Sequence, residues 1–310
     1  MLNATRPTGA QADDASNGRR RAATTLADYA RLIRLDRPIG IWLLLWPALW
    51  ALWLASRGHP NEHVFVVFAL GALLMRSAGC AINDFADRRF DPHVARTEDR
   101  PLAAGRVSPA EALLIYAILS LLALALVLTL DRFTVELAVG GAALTIVYPF
   151  LKRFFPLPQV WLGAAFSWSI PMAFAAETGQ VPRLAWLLFV AAVLWSAAYD
   201  TMYAMVDRDD DLKLGIKSAA ILFGDADRWI IGTMQALVLY AFWLAGQQAD
   251  LGRWFWIALF IGACLFGWQQ WLLRAREPRD CFRAFLSNHW FGLAIFVGIA
   301  LDYLFAKPGP

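Results

Sequence analysis

Residues 63–92 read HVFVVFALGALLMRSAGCAINDFADRRFDP. The stretch opens on an apolar run of the length that crosses a bilayer, which needs about 20 residues of helix. It closes on Asn83, Asp84, Asp87 and Asp91. Charges near membrane depth are costly and face the protein interior or a water-filled cavity, so this span is expected to line a cavity with its polar end. On a continuous helix Asn83, Asp87 and Asp91 are four apart and share a face, with Asp84 at its edge. Pro92 disfavours helical geometry at Asp91, so the helix is expected to end there. Like charges at this spacing repel, and a divalent cation removes the repulsion.

The pattern returns at 199–211, YDTMYAMVDRDDD, at the end of another apolar span. Asp200 and Asp207 are two helical turns apart, and Tyr203, Asp207 and Asp211 are again four apart. Asp209 and Asp210 are equally well explained as a solvated face. A calcium loop needs Gly at its sixth position and Glu at its twelfth. Counted from Asp207 those positions are Leu212 and Ser218, which excludes it. Mg²⁺ fits better, because it keeps several waters and is held by one or two carboxylates plus substrate phosphates.

Composition agrees with a chain built for lipid. Of 310 residues, 59% are hydrophobic and 17% charged, against about 25% charged in an ordinary soluble domain. Nine apolar segments of spanning length are predicted, near 38–56, 63–83, 109–130, 133–151, 158–177, 182–205, 227–247, 254–273 and 285–305. The predicted fold is therefore an all-α membrane protein, a bundle of nine transmembrane helices around a central cavity. Of the 28 lysines and arginines, Arg57, Arg132, Arg183, Arg253 and Lys307 fall on one side and Arg76 inside a span. All the rest fall in the N-terminal segment and alternate loops, which places the N-terminus in the cytoplasm. A net charge of +3 is too small to argue for nucleic acid. Cys80, Cys264 and Cys281 are too far apart in sequence for a C-x-x-C site. Residues 1–27 lack an apolar core and read as a flexible cytoplasmic tail. They are followed by one transmembrane domain over 28–307, whose first ten residues form an amphipathic segment on the membrane surface.

The two acidic stretches resemble the aspartate-rich motifs of the UbiA-type membrane prenyltransferases. Asn83-Asp84-x-x-Asp87-x-x-x-Asp91 is similar to the first motif, and residues 199–218, YDTMYAMVDRDDDLKLGIKS, to the second. Further matches are Arg100-Pro101-Leu102, the run 148–153 (YPFLKR), Leu157-Pro158-Gln159 and the run 168–175 (WSIPMAFA). Together they resemble the bacterial 4-hydroxybenzoate polyprenyltransferase branch, over about residues 28–305. The resemblance implies transfer of a polyprenyl group from polyprenyl diphosphate to 4-hydroxybenzoate during ubiquinone synthesis. It implies a location in the bacterial inner membrane and allows association with other quinone-synthesis enzymes. Asp87, Asp91, Asp207 and Asp211 would hold Mg²⁺, with Asn83 as a further ligand and Asp84 and Asp200 in support.

Cations must meet the charge that develops on a leaving diphosphate. Arg153 is the expected catalytic cation, with Lys152, Arg100 and Lys217 beside it. An aromatic face at Tyr203, Tyr148 or Phe85 would stabilise an allylic cation. Arg76, seven residues before Asn83 on the same helical face, would bind the acceptor carboxylate or the diphosphate. Its alternative role is a structural pair with Glu136, Glu177 or Asp302. A relative using another aromatic acceptor and, in a different class, a membrane transporter are the alternatives. Transporter sites lie near the midplane on interrupted helices, whereas these acids crowd one edge.

Overall fold

A computed structural model describes residues 25–93, 97–151, 155, 157–215 and 217–305. Among these residues there is no strand. The helices are α1 (Leu26–Leu32), α2 (Ile39–Ala55), α3 (Glu62–Asp87), α4 (Pro109–Val127), α5 (Arg132–Leu151), α6 (Pro158–Ser167), α7 (Ser169–Thr178), α8 (Arg183–Val206), α9 (Arg208–Leu214), α10 (Ala219–Phe223), α11 (Asp227–Gln248), α12 (Arg253–Leu272) and α13 (Pro278–Phe305). Residues 1–24 of the predicted tail lie outside the described residues.

Six helical stretches are long and apolar enough to cross a membrane: α3, α4, α8, the run Ala219–Gln248 that ends in α11, α12 with its last turn, and α13. The other three predicted segments are helical too. Helix α2 is apolar but has 17 residues, α5 has 20, and the segment 158–177 is divided into α6 and α7. Pro171 accounts for the division. It has no N–H for the carbonyl of Ser167, and its ring crowds that carbonyl, so the chain breaks at Trp168 and Pro171 sits in the first turn of a new helix.

The amphipathic start is a short helix with its own cap. Thr25 and Asp28 close a capping box on α1, and Ser108 and Glu111 do the same for α4. The two caps are tied together. Arg106 Nε donates to Asp28 at 3.0 Å, and the Tyr29 hydroxyl to Glu111 at 2.9 Å. The hydrogen bonds from Thr25, together with Arg106, hold the Asp28 carboxyl below the usual carboxylate range. Helix α1 is thereby fixed across the end of α3 and the start of α4.

An aromatic core locks α2, α8, α11 and α13 together. The Trp50 ring centroid lies 5.2 Å from Trp195, 5.1 Å from Phe242 and 6.4 Å from Phe291. Both buried indoles find acceptors: Trp50 Nε1 donates to the Gly292 carbonyl and Trp195 Nε1 to Asn288 Oδ1, each at 3.0 Å. Such pairs add about 0.5–1.5 kcal/mol each beyond their burial.

A second anchor sits at the polar end. Asp227, fully buried, opens α11 and is paired with Arg208 at 3.2 Å and Arg276 at 3.0 Å. Arg208 also donates to the carbonyls of Ala220 and Gly224. One carboxylate therefore joins α9, α11 and the turn after α12. Removing one partner of a buried ion pair strands the other charges. Asp227→Ala is expected to cost on the order of 3 kcal/mol, read as a lowered thermal-unfolding temperature of the purified chain. An unchanged temperature would show that the arginines find water instead.

Candidate functional site

Next to the aromatic core, α2 to α8 line a cavity of about 1120 Å³, together with Phe282 and Phe285 of α13. Its α3 wall runs from Val67 to Asp84, a length of about 25 Å at 1.5 Å per helical residue. Ala48, Val67, Phe68, Val127, Ala138 and Met172 line one region of it, and Arg34, Asn83, Asp84, Arg100, Asp200 and Tyr203 another. Helix α4 packs mainly on α3, and only 6% of its spanning window is buried. Leu121 and Leu124 of α4 and Ile146 of α5 line the cavity and are exposed. Helix α4 makes little contact with α5.

The first acidic cluster departs from the predicted single helix. Helix α3 ends at Asp87, one turn early, and Asp91 opens a 3₁₀ turn. Pro92 has no N–H for the Arg88 carbonyl, so the last turn before it unwinds. Arg100 replaces the lost helix as the element that gathers the acids. Its guanidinium donates to Asp84 at 3.1 Å and to Asp91 at 2.9 Å. Arg34, in the linker after α1, grips both oxygens of Asp84 at 2.9 and 3.1 Å. The Thr97 hydroxyl donates to the Asp91 carbonyl at 2.8 Å. Asp84, Asp87 and Asp91 are all buried. Burial lifts Asp91 above the usual carboxylate range against the pull of Arg100, and Asp87 and Asp84 add to the rise.

The second cluster is broken too. Helix α8 stops at Val206, and Asp207 caps α9, with its carbonyl accepting from Asp210 and Asp211 N–H at 3.1 and 2.9 Å. Asp209 is exposed and Asp210 pairs with Lys213, as expected of a solvated face. Asp207 and Asp211 are half-buried.

The cavity wall thus carries Arg76, Asn83, Asp84, Arg100, Asp200, Tyr203 and Tyr148 from the predicted set. Asp87, Asp91, Asp207, Asp211 and Lys217 are not part of that wall, and Lys217 is exposed. Lys152 and Arg153 lie outside the described residues. Phe85 is not on the wall either; it packs under α1 with Leu32 and Leu102, and Arg88 lies over its ring at 4.2 Å.

Arg76 faces the cavity, and the three acids proposed as its structural partners are engaged elsewhere. Glu136 pairs with Arg132 at 2.8 Å, Glu177 accepts from the Asn61 N–H, and Asp302 caps α12 through the N–H groups of Trp254 and Phe255. Among the described residues the Arg76 guanidinium has no carboxylate partner. Its Cζ lies 6.0 Å from the Phe166 ring centroid.

Sequence reasoning offers Arg34 only as a fallback partner for the acceptor carboxylate, and it misses both the pairing of Arg34 with Asp84 and the closeness of Gly40 to Arg76. Arg34 is one of several charges in an amphipathic segment with nothing in its spacing to single it out. Gly40 touches Arg76 across two helices, and no spacing rule links them.

Among the described residues no three acids, histidines or cysteines are gathered closely enough to enclose a metal ion. The donor set nonetheless fits a hard cation. It consists of carboxylate and amide oxygens, the ligands Mg²⁺ prefers, and Arg34 and Arg100 show that two of the carboxylates already take cationic partners.

The comparisons with known proteins agree with this geometry. A 4-hydroxybenzoate octaprenyltransferase of Coxiella burnetii is 58% identical over 275 residues, covering 89% of this chain and 96% of that protein. The protein of the same name from Stutzerimonas stutzeri is 58% identical over 276 residues, covering 89% and 93%. The fold is similar to the apo structure of a UbiA homolog from Aeropyrum pernix K1, with a TM-score of 0.74, 26% identity and coverage of 85% and 97%. It is also similar to a UbiA homolog from Archaeoglobus fulgidus bound to GPP and Mg²⁺, with a TM-score of 0.67, 18% identity and coverage of 89% and 99%. The sequence profile of the UbiA prenyltransferase family matches residues 44–292, from within α2 to within α13, and so takes in both acidic clusters and helices α3 to α8 of the cavity wall. Motifs, cavity and relatives lead to one assignment: this chain belongs to the UbiA prenyltransferase family.

Proposed function

We propose that the protein transfers an all-trans polyprenyl group from polyprenyl diphosphate to carbon 3 of 4-hydroxybenzoate, releasing diphosphate, in ubiquinone biosynthesis. The observation that carries this reading is Arg76, a guanidinium in the wall of an apolar cavity without a carboxylate partner among the described residues. A phenol carboxylate supplies that partner. The names of the 58% identical relatives support the same acceptor.

The prenyl chain is apolar and suits the apolar wall that α4 and α5 contribute, while its diphosphate belongs at the acidic, arginine-bearing region. Mg²⁺, held by Asp87, Asp91, Asp207 and Asp211 with Asn83, supplies charge stabilisation to the leaving diphosphate when bound. Arg100, Lys217, Lys152 and Arg153 add to that stabilisation. The allylic carbon–oxygen bond breaks and its electron pair leaves with the diphosphate. Tyr203 and Tyr148 present aromatic faces to the allylic cation, and the apolar walls exclude water that would otherwise capture it. Arg76 holds the acceptor carboxylate, the ring carbon ortho to the hydroxyl forms the new carbon–carbon bond, and loss of the proton from that carbon restores aromaticity. Asp84 and Asp200 line the same wall and position the cations around the diphosphate.

Membranes containing the protein, incubated with 4-hydroxybenzoate, Mg²⁺ and polyprenyl diphosphates of several lengths, should yield the prenylated acid by mass. Prenylation of another aromatic acceptor in preference to it would overturn the acceptor assignment.

The same reading includes nine passes through the bacterial inner membrane, with the tail 1–27 in the cytoplasm and one transmembrane domain over 28–307. The loop charge asymmetry supports it. A reporter fused after Pro310 is expected to report an extracytoplasmic position; a cytoplasmic signal would contradict the odd number of passes.

A further inference from the structure

We propose that Gly40 is a positioning residue for Arg76, and that its missing side chain sets the preference for an acceptor bearing a carboxylate. This rests on the reading of Arg76 given above. Gly40 is the second residue of α2 and is buried. A Cβ placed on it would stand 2.6 Å from Arg76 Cζ and closer still to Nε. Contacts under 3.0 Å essentially never occur for a real Cβ, so the neighbour must move. The atoms it would strike are the far end of the flexible Arg76 side chain, so the fork would swing aside at little cost to the fold. The plane thus occupies space on the α2 backbone that any other residue at position 40 would fill.

The backbone itself does not ask for glycine here. Gly40 lies inside a helix and is not among the residues with positive φ. Alanine is the better helix former at such a position. The three atoms nearest to such a Cβ all belong to Arg76. Phe166 of α6 lies on another side, its ring centroid 6.0 Å from the guanidinium carbon, so the close contact that sets the fork's place is the α2 backbone at Gly40. Two parallel hydrogen bonds to one carboxylate need such a fixed plane. A Cβ at position 40 displaces the fork without removing its charge.

The test compares Gly40→Ala, Arg76→Met and the parent as full chains in membranes, with 4-hydroxybenzoate, its neutral carboxamide analogue and the prenyl diphosphate varied in turn. Gly40→Ala is expected to raise KM for 4-hydroxybenzoate about tenfold, the size of a lost charge-assisted bond. KM for the diphosphate and for the carboxamide should stay close to the parent's, and so should the thermal-unfolding temperature. If Arg76→Met raises the acceptor KM and Gly40→Ala does not, Gly40 is no seat for Arg76 and the proposal falls while the proposed function stands. If Arg76→Met leaves the acceptor KM unchanged, the carboxylate role of Arg76 falls and this proposal with it. A rise in acceptor and donor KM alike for Gly40→Ala overturns it too, because the whole cavity has then been disturbed.

Discussion

Asp207→Ala and Asp211→Ala are each expected to lower turnover by about 10²–10³-fold, as are Asp87→Ala and Asp91→Ala, with folded protein retained. The magnitude is that of removing one preorganised group from a developing charge. The physical reason is the same at all four positions. A leaving diphosphate concentrates negative charge, and in the proposed function the carboxylates would hold the cations that balance it. Asp209 supplies the internal control. It is exposed on α9 next to the same cluster, so Asp209→Ala should stay near the parent rate. Turnover measured across a Mg²⁺ titration separates the cases. A variant at any of the four positions that keeps full activity at limiting Mg²⁺ removes that residue from the metal site.

The second large effect is expected at Arg76. Arg76→Met keeps the apolar stem of the side chain and removes its charged head. Hydrogen bonds to charged groups contribute about 1.5–3 kcal/mol, so KM for 4-hydroxybenzoate should rise roughly 10- to 100-fold. Binding of the diphosphate in the presence of Mg²⁺ should be largely unaffected, because Arg76 lies two turns from Asn83, about 10 Å along α3. Direct binding measurements with each substrate decide the point. If diphosphate binding is lost and acceptor affinity kept, Arg76 belongs to the diphosphate site, and the carboxylate partner is to be sought at Arg34 and Arg153. Arg34 would then have to leave Asp84, which it holds with two hydrogen bonds.

What the sequence revealed and what it concealed follow one line of division. Helical segments were legible because an apolar run of bilayer length has few other solutions. The acids at the ends of α3 and α8 were legible because such charges are expensive there unless they serve a purpose. The exact helix ends were not. Spacing by four suggests a continuous face through Asp91, yet α3 stops at Asp87 and α8 at Val206. Pro92 was read as ending the helix at Asp91, but its missing N–H acts a full turn upstream. The break at Trp168 has the same origin in Pro171. Contacts between distant segments were hidden altogether. Arg34 meets Asp84 and Gly40 meets Arg76 only because α1, α2 and α3 pack as they do. Local spacing carries no record of that packing, so a glycine within an apolar span reads as filler.

A donor path from the bilayer through the seam between the loosely joined α4 and α5 would have a kinetic consequence. A donor that enters from the bilayer is sampled in two dimensions, so the concentration that governs its capture is its mole fraction among the surrounding lipids. Diluting the whole suspension with buffer leaves that fraction unchanged, whereas adding inert lipid lowers it. The prenylated product, still anchored by its tail, can drift away through the same seam and need never be handed to water. Apparent constants for the donor are therefore properties of the membrane composition as much as of the protein.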